Sequence, residues 1–374
     1  MSTDTLTSRY TALYEEHRKL GAAFTDFGGW QMPLRYSSEL SEHYAVRHSA
    51  GLFDLSHMGE IAVTGPDAAR FLDYALVGKL SAVRVGKAKY SLICTPEGGI
   101  IDDLISYRLA EDEYLVVPNA GNADTVVAAF QERAAGFDVT VTDESAATSL
   151  IAVQGPVAQA ILQDMVPDEQ RQLVADLKYY SAEPATVAGI EVLLARTGYT
   201  GEDGFELYVP NAHAVPLWSA LLAAGQGSEL VPAGLACRDT LRLEAGMPLY
   251  GQELSLATNP YEAGLGPVVA LSKGGDFVGR DALTAIKAAG AGRKLVGLTS
   301  TGRRAARSHY PVTVNGARVG EVTSGAPSPT LGHPIAMAYV DQQYAHTGQA
   351  VDVDLRGKAT PFTIVEPPFY RRQK

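Results

Sequence analysis

Two adjacent carboxylates, Asp102 and Asp103, stand inside the apolar run Ile100–Tyr107 and are the first candidates for proton chemistry. The stretch around them, GKAKYSLICTPEGGIIDDLISY (86–107), reads as strand, turn, strand. Lys89–Thr95 is apolar and β-prone, Pro96-Glu97-Gly98-Gly99 is turn chemistry, and Ile100–Tyr107 is a second β-rich run. Strand side chains alternate faces, so only Asp103 points the same way as Ile101 and Ile105. An Asp inside such a strand is disfavoured by propensity and costs free energy to desolvate, so it needs a compensating role. Two roles fit: an edge-strand pair held by backbone N–H groups, or a carboxylate that faces a cavity and handles a proton there.

Other chemistry-bearing residues are scattered along the chain. Glu206 is a second acid placed in a β-run, Phe205–Val209, just after the loop Thr197–Gly204. Glycines in that loop let backbone approach a ligand closely. The spacing is not GxGxxG and no helix opens after it, which argues against a dinucleotide site. Gly234–Ala245 has helical spacing and places Arg238 and Arg242 one turn apart, so both can face an anion. Alternatively, Asp239 and Glu244 neutralise them on a solvated face. Tyr179 and Tyr180 are adjacent, and His57 is a lone loop histidine, a type more often structural than catalytic.

The elements that must position these residues follow from pattern. Thr11–Leu20 reads as a short helix closed by Gly21. The β-prone run Ala22–Trp30 is expected to break at Gln31-Met32-Pro33, and Ser37 or Ser38 caps a helix running to His48. Residues 62–72 (AVTGPDAARFL) and 152–162 (AVQGPVAQAIL) repeat in register 90 positions apart. Each copy reads as strand, Gly-Pro turn with Pro at helix position N1, and amphipathic helix. Such a repeat predicts duplicated α+β half-domains whose sheets face one another across a cleft or hole. Pro216–Ala224 and 279–290 read as helices. From Leu295 short strands alternate with turns, and Asn315-Gly316 is a type I′ hairpin signal, so this end reads as a separate small β-barrel.

Composition bounds the function classes. The chain has 374 residues, 46% hydrophobic and 20% charged, with a net charge of −11, which argues against nucleic acid as a partner. Its two cysteines, Cys94 and Cys237, have neither CxxC nor His spacing, so no disulfide framework or metal site follows. Residues 1–30 carry Asp4, Arg9, Glu15, Glu16, Arg18 and Lys19, which leaves no signal-peptide core. No apolar run reaches the roughly 18 residues of a membrane helix. A soluble cytoplasmic protein is the expectation.

Long motifs then stand in order: FGGWQMPLRY near residue 30, LFDLSHMGE (52–60), GGIIDDL (98–104), AVQGP (152–156), RTGYTGEDGFEL (196–207), GLACRDTLRLEAGMPLYGQE (234–253) and GEVTSGAPSPTLGHPIAMAYV near the end. In these the chain resembles, over nearly its full length, the T protein of the glycine cleavage system, a tetrahydrofolate-dependent aminomethyltransferase family. The resemblance implies an α+β, three-domain cloverleaf around a central folate-binding hole. Residues 1–53 with 147–250 would form one α+β subdomain, 54–146 with 251–284 a second carrying the catalytic Asp, and 290–374 the β-barrel. It implies Asp103 as the catalytic acid beside the folate nitrogens, Glu206 and Arg238 as holders of the pterin, and Tyr90, Asn119, Tyr179, Tyr199 and Met58 as walls of the site. The implied co-substrate is tetrahydrofolate and the implied partner is the lipoyl-bearing H protein, with no metal, flavin or pyridoxal phosphate.

There is one departure: Gly266-Pro267 stands where many members have Ser-Trp, the Trp contributing to the wall around the folate tail. Arg303, Arg304 and Arg307 are exposed basics that would suit an acidic carrier. Relatives sharing the fold offer other readings. A folate-dependent demethylase would act on free methylated donors. A fused oxidase would need a flavin-type dinucleotide motif ahead of residue 1. The iron–sulfur accessory protein would carry a Cys in the loop that here reads TGYTGEDGFE.

Overall fold

The computed structural model describes residues 8–373; Asp4 of the charged amino-terminal stretch lies outside them. The chain opens with α1 (Tyr14–Lys19), β1 (Ala23–Phe27), β2 (Trp30–Arg35), α2 (Glu39–His48) and β3 (Ala50–Asp54). Ser38 caps α2 by accepting from the Ser41 N–H. The expected break at Gln31-Met32-Pro33 falls instead at Gly28-Gly29, both at positive φ, and Gln31–Pro33 belongs to β2. Proline is tolerated there because β1 and β2 form a two-stranded sheet, so each has an unpaired edge.

The first repeat copy supplies β4 (Ile61–Thr64), α3 (Ala68–Ala75), β5 (Lys87–Cys94), β6 (Ile100–Ala110), β7 (Glu113–Val117), α4 (Ala123–Arg133) and β8 (Thr140–Asp143). The second supplies β9 (Thr148–Gln154), α5 (Ala158–Gln163), α6 (Arg171–Asp176), β10 (Ala182–Val187), β11 (Ile190–Ala195), β12 (Gly204–Pro210), α7 (Asn211–Gly225) and β13 (Leu230–Pro232). Their sheets have the same strand order. The first is β5-β6-β7-β4-β8; the second is β10-β11-β12-β9-β3-β13, the same path with β3 inserted. The Gly of each Gly-Pro pair explains why the motif recurs. Gly65 and Gly155 have φ of +126° and +142°, and a Cβ would stand 2.5 Å from the Asp138 carbonyl oxygen and 2.2 Å from that of Ser49. The prolines are not at N1: each helix begins two residues later, at Ala68 and Ala158, so Pro66 and Pro156 shape the turn rather than the first helical residue. Helix α7 likewise starts before Pro216, which lies within it.

The two sheets pack face to face. Tyr107, Leu115 and Val117 of the first meet Phe53, Leu150, Ala152 and Tyr208 of the second in one buried cluster. Helices cover the outer faces: Phe71 and Phe130 on one side, Leu217, Trp218 and Leu221 on the other. Helix α8 (Leu235–Glu244) then runs from β2 to the carboxy-terminal module, and α9 (Arg280–Ala289) follows. The end of the chain is a closed barrel of β14 (Arg293–Thr299), β15 (Pro311–Val314), β16 (Ala317–Pro327), β17 (Pro334–Asp341), β18 (Ala350–Asp354) and β19 (Ala359–Val365). Asn315 and Gly316 turn the β15–β16 hairpin with φ of +51° and +79°, as a type I′ turn requires. Among the described residues no helix is long and apolar enough to cross a membrane.

Among the described residues Glu60 is a buried acid whose carboxylate is without a hydrogen-bond partner. Both carboxylate oxygens of Glu60 lack a hydrogen bond, and burial, with Asp143 and Glu144 nearby, pushes its pKa up to about 9. Folding therefore takes up a proton wherever the unfolded chain has lost one, so wild-type stability falls as pH rises from about 4.5 to 9. Glu60→Gln removes that slope. The stability difference between variant and wild type is expected to widen by about 2–4 kcal/mol between pH 5 and pH 8. Urea denaturation at the two pH values checks it; a constant difference would show that Glu60 is ionised and solvated.

Candidate active site

A cavity of about 780 Å³ lies where the two sheets and the barrel meet, lined by Asp103 and Ile105 of β6, Glu206 and Tyr208 of β12, and Ser324–Pro327 of β16. It runs alongside α8, from Leu235 to Arg242, a length of about 10 Å at 1.5 Å per residue.

Alternation along β6 splits the two aspartates. Asp102 is fully buried beside Ile100 and Leu104, whereas Asp103 turns to the cavity with Ile105. Asp102 is satisfied from behind: it accepts from the Asn119 backbone N–H (2.9 Å), Asn119 Nδ2 (2.9 Å) and Asn122 Nδ2 (2.7 Å). Asp103 is held at both oxygens. Oδ2 accepts from the Tyr90 hydroxyl at 2.9 Å and Oδ1 from Asn119 Nδ2 at 2.8 Å. Burial pushes the Asp103 pKa up to about 6 against the pull of those two donors. Burial and the neighbouring Asp103 push Asp102 up to about 7. Asp103 is thus a fixed carboxylate whose proton affinity lies near neutrality, where a residue that both takes and returns a proton works best.

Glu206 stands across the cavity. Its carboxylate accepts from the Thr197 hydroxyl and, at 3.5 Å, from the Tyr107 hydroxyl. Burial raises its pKa, while the Arg238 guanidinium holds it down. Arg238 lies 4.8 Å over the Tyr199 ring and, among the described residues, its side chain makes no hydrogen bond or ion pair. Its helical neighbour is different. Arg242 is consumed by Glu253 (2.9 Å), Asp239 (2.8 Å) and the Ser324 hydroxyl (2.8 Å), tying α8 to the barrel. The solvated face expected for this helix is absent: Arg242 and Glu244 are buried because α8 is wedged between α2 and the barrel. Of the two helical arginines, Arg238 is the one left to meet a ligand.

Tyr90, Asn119, Tyr199 and Met58 all line the cavity with Asp103, Glu206 and Arg238. Tyr179 does not. It is 53% exposed with its ring 4.7 Å from that of Tyr180, and Tyr180, turned by a φ of +61°, takes the place in the wall. The glycine loop also has a packing role. A Cβ on Gly198 or Gly204 would fall 2.0 or 2.4 Å from the Gln154 side chain, which bonds Thr197 O and the Thr200 hydroxyl. These glycines let the loop wrap a buried glutamine and thereby seat Thr197 and Tyr199; of the two, Gly198 itself lines the cavity. Gly266 packs near Tyr261, and neither it nor Pro267 is part of the cavity lining. Arg307 lines the mouth, and Arg303 and Arg304 are exposed beside it.

Two residues at the site were not singled out from the sequence: Thr197, which lines the cavity, and Tyr107, whose hydroxyl lies behind it against Thr197 and Glu206. Tyr107 was within reach, because it is two alternations beyond Asp103 on the same face of β6. His57, set aside as a loop histidine, lines the cavity as well.

The GCVT N-terminal domain family matches residues 13–273, and the glycine cleavage T-protein C-terminal barrel domain matches 293–371. Aminomethyltransferases of Streptomyces avermitilis and Cutibacterium acnes are 60% and 58% identical over 370 residues, covering 98% of this chain and 98% and 99% of theirs. The crystal structure of glycine cleavage system aminomethyltransferase T from Bartonella henselae superposes with a TM-score of 0.90 at 38% identity, covering 98% of this chain and 99% of that one. On these matches over nearly its whole length, the chain belongs to the glycine cleavage T-protein family of aminomethyltransferases.

Proposed function

We propose that this chain takes the aminomethyl group carried on the lipoyl arm of the H protein and passes its methylene to tetrahydrofolate. Ammonia and 5,10-methylene-tetrahydrofolate are the products, and the arm is left as a dithiol. The carbon–sulfur and carbon–nitrogen bonds of the donor break and two carbon–nitrogen bonds to folate form. One hydrogen from the folate nitrogens ends on ammonia and the other on sulfur, so nothing is oxidised.

The residues present suit the folate. A pterin edge offers adjacent N–H donors, and the buried Glu206 carboxylate is a two-oxygen acceptor matched to them. Arg238, whose side chain makes no hydrogen bond or ion pair among the described residues, supplies a cation that pulls against the rise burial imposes on the Glu206 pKa. Asp103, clamped by Tyr90 and Asn119, takes a proton from the attacking folate nitrogen and returns it to the departing amine. Met58, Ile105 and Tyr199 help exclude water, and the walls align two ligands so that the transfer proceeds within one complex. We further infer a division into residues 1–53 with 147–250, 54–146 with 251–284, and 290–374. Support comes from β3 pairing with β9 and from the closed barrel beginning at Arg293.

The observation that carries the reading is Asp103 facing Glu206 and an unpaired Arg238 across one cavity. A coupled assay tests it. Purified protein, tetrahydrofolate and aminomethyl-loaded H protein should give ammonia and methylene-tetrahydrofolate in equal amounts. Folate binding without either product would point instead to a demethylase acting on free donors, and no folate binding would overturn the site assignment.

A further inference from the structure

We infer that His57 is a specificity-determining residue of the folate site, donating a hydrogen bond from Nε2 to an acceptor atom on the pterin edge beside the N–H donors taken by Glu206. The inference rests on the folate reading above and adds a residue to it.

Four observations converge. His57 is 2% exposed, yet it lines the cavity. Among the described residues it makes no hydrogen bond, although a buried imidazole ordinarily has one. Of its ring nitrogens only Nδ1 is sealed off without a partner, so Nε2 is the one open to the cavity. The ring stands edge-on against Phe27, with centroids 5.4 Å apart.

The tautomer follows from these facts. A buried orphan N–H is costlier and rarer than a bare acceptor, so Nδ1 stays bare and Nε2 carries the hydrogen. Burial and the nearby Arg238 push the imidazole pKa down to about 4, against the pull of Asp54. His57 therefore donates as a neutral group and adds no second cation beside Arg238.

Sheet register brings it to the same ligand as Glu206. Glu206 pairs with Ala152, and Ala152 with Phe53, placing Glu206 and Phe53 two strand spacings apart, about 10 Å. Leu55 lies just past the end of β3 with its N–H on the Leu150 carbonyl, and His57 stands two residues further on, in the turn whose side chains Leu55, His57 and Met58 line the same cavity as Glu206. A heterocycle whose donors meet Glu206 thus presents its adjacent acceptors toward the Arg238 and His57 side. A ring with an amino group in place of that acceptor would set donor against donor and be rejected.

The choice of variants reads out which nitrogen donates. Glutamine places an amide N–H where Nε2 stands; asparagine places one near Nδ1; phenylalanine keeps the ring without either. We expect His57→Phe and His57→Asn to weaken tetrahydrofolate binding about tenfold, and His57→Gln to stay within about threefold of wild type. KM for loaded H protein and kcat at saturating folate should change little in all three. Binding of tetrahydrofolate by titration calorimetry, with circular dichroism to confirm folding, gives the measurement. Retention by His57→Asn with loss by His57→Gln would overturn the assignment of Nε2. A change confined to KM for the H protein would make His57 a donor-side residue and sink the proposal, as would wild-type affinity in all three. Failure of the wild type itself to bind folate would fall on the functional reading, not on His57.

Discussion

Asp103→Asn should lower kcat by about 10²- to 10⁴-fold, the range for loss of a positioned proton acceptor, while tetrahydrofolate affinity stays within a few-fold of wild type. The substitution is nearly isosteric and its hydrogen bonds can be remade. With the Asn oxygen toward Asn119 Nδ2, the Asn NH₂ faces Tyr90, whose hydroxyl changes from donor to acceptor. Fold and cavity shape are therefore kept while the proton affinity is lost. The pH profile sharpens the test. With a pKa of about 6, Asp103 is ionised above that pH and protonated below it, so wild-type turnover should fall as pH drops through about 6. Asp103→Asn should lack this limb. In Tyr90→Phe the limb should move upward, because the lost hydrogen bond was one that favoured the carboxylate. Folate affinity lost in step with turnover would make Asp103 a binding residue instead.

How much of this was legible beforehand depends on the range of the interaction that fixes each residue. Asp103 was readable because strand alternation is a local rule, and the hairpin turn at Pro96–Gly99 pinned its register. The duplication was readable because each copy repeats a local motif. Tyr179 was misplaced because the choice between two adjacent tyrosines turns on one residue, Tyr180, taking a left-handed φ that nothing local demands. The packing of the glycine loop was hidden for a related reason. Its partner, Gln154, lies more than 40 residues earlier and meets it only because β9 and β12 pair. The fates of Arg238 and Arg242 likewise could not be separated by helical spacing, and only the resemblance singled out Arg238. Glu253 and Ser324, which claim Arg242, come from a following loop and from the barrel.

Arg47→Met should be the most destabilising single change predicted, at about 3–5 kcal/mol, because it strips a buried charge cluster of its cation. Arg47 donates to Glu244 from Nε (3.1 Å) and Nη2 (2.7 Å), and to Thr200 O (2.7 Å) and Glu202 (3.0 Å) from Nη1, with the Tyr370 ring 4.1 Å from the guanidinium. Glu244 also accepts from the Ser328 hydroxyl and the Thr330 N–H. One guanidinium thus joins α2, the glycine loop, α8, the barrel and the carboxy-terminal segment around the cavity. The donors around Glu244, His43 first, lower its pKa to about 2. Its contribution is therefore complete above its ordinary value of about 4.5 and lost as pH falls toward 2. The exposed Arg18–Glu15 pair provides the contrast, and Arg18→Met should cost no more than about 0.5 kcal/mol. Chemical denaturation of both variants decides the matter, and similar small losses would show the Arg47 cluster to be solvated. The double change Arg47→Met with Glu244→Met should recover part of the stability lost by Arg47→Met alone, since the penalty of the single variant is the charge left behind. Glu202 would still be unpaired, so recovery should be incomplete. Because Arg47 also holds Thr200 and Glu202, beside Tyr199 in the cavity wall, Arg47→Met should weaken folate binding even where the protein remains folded.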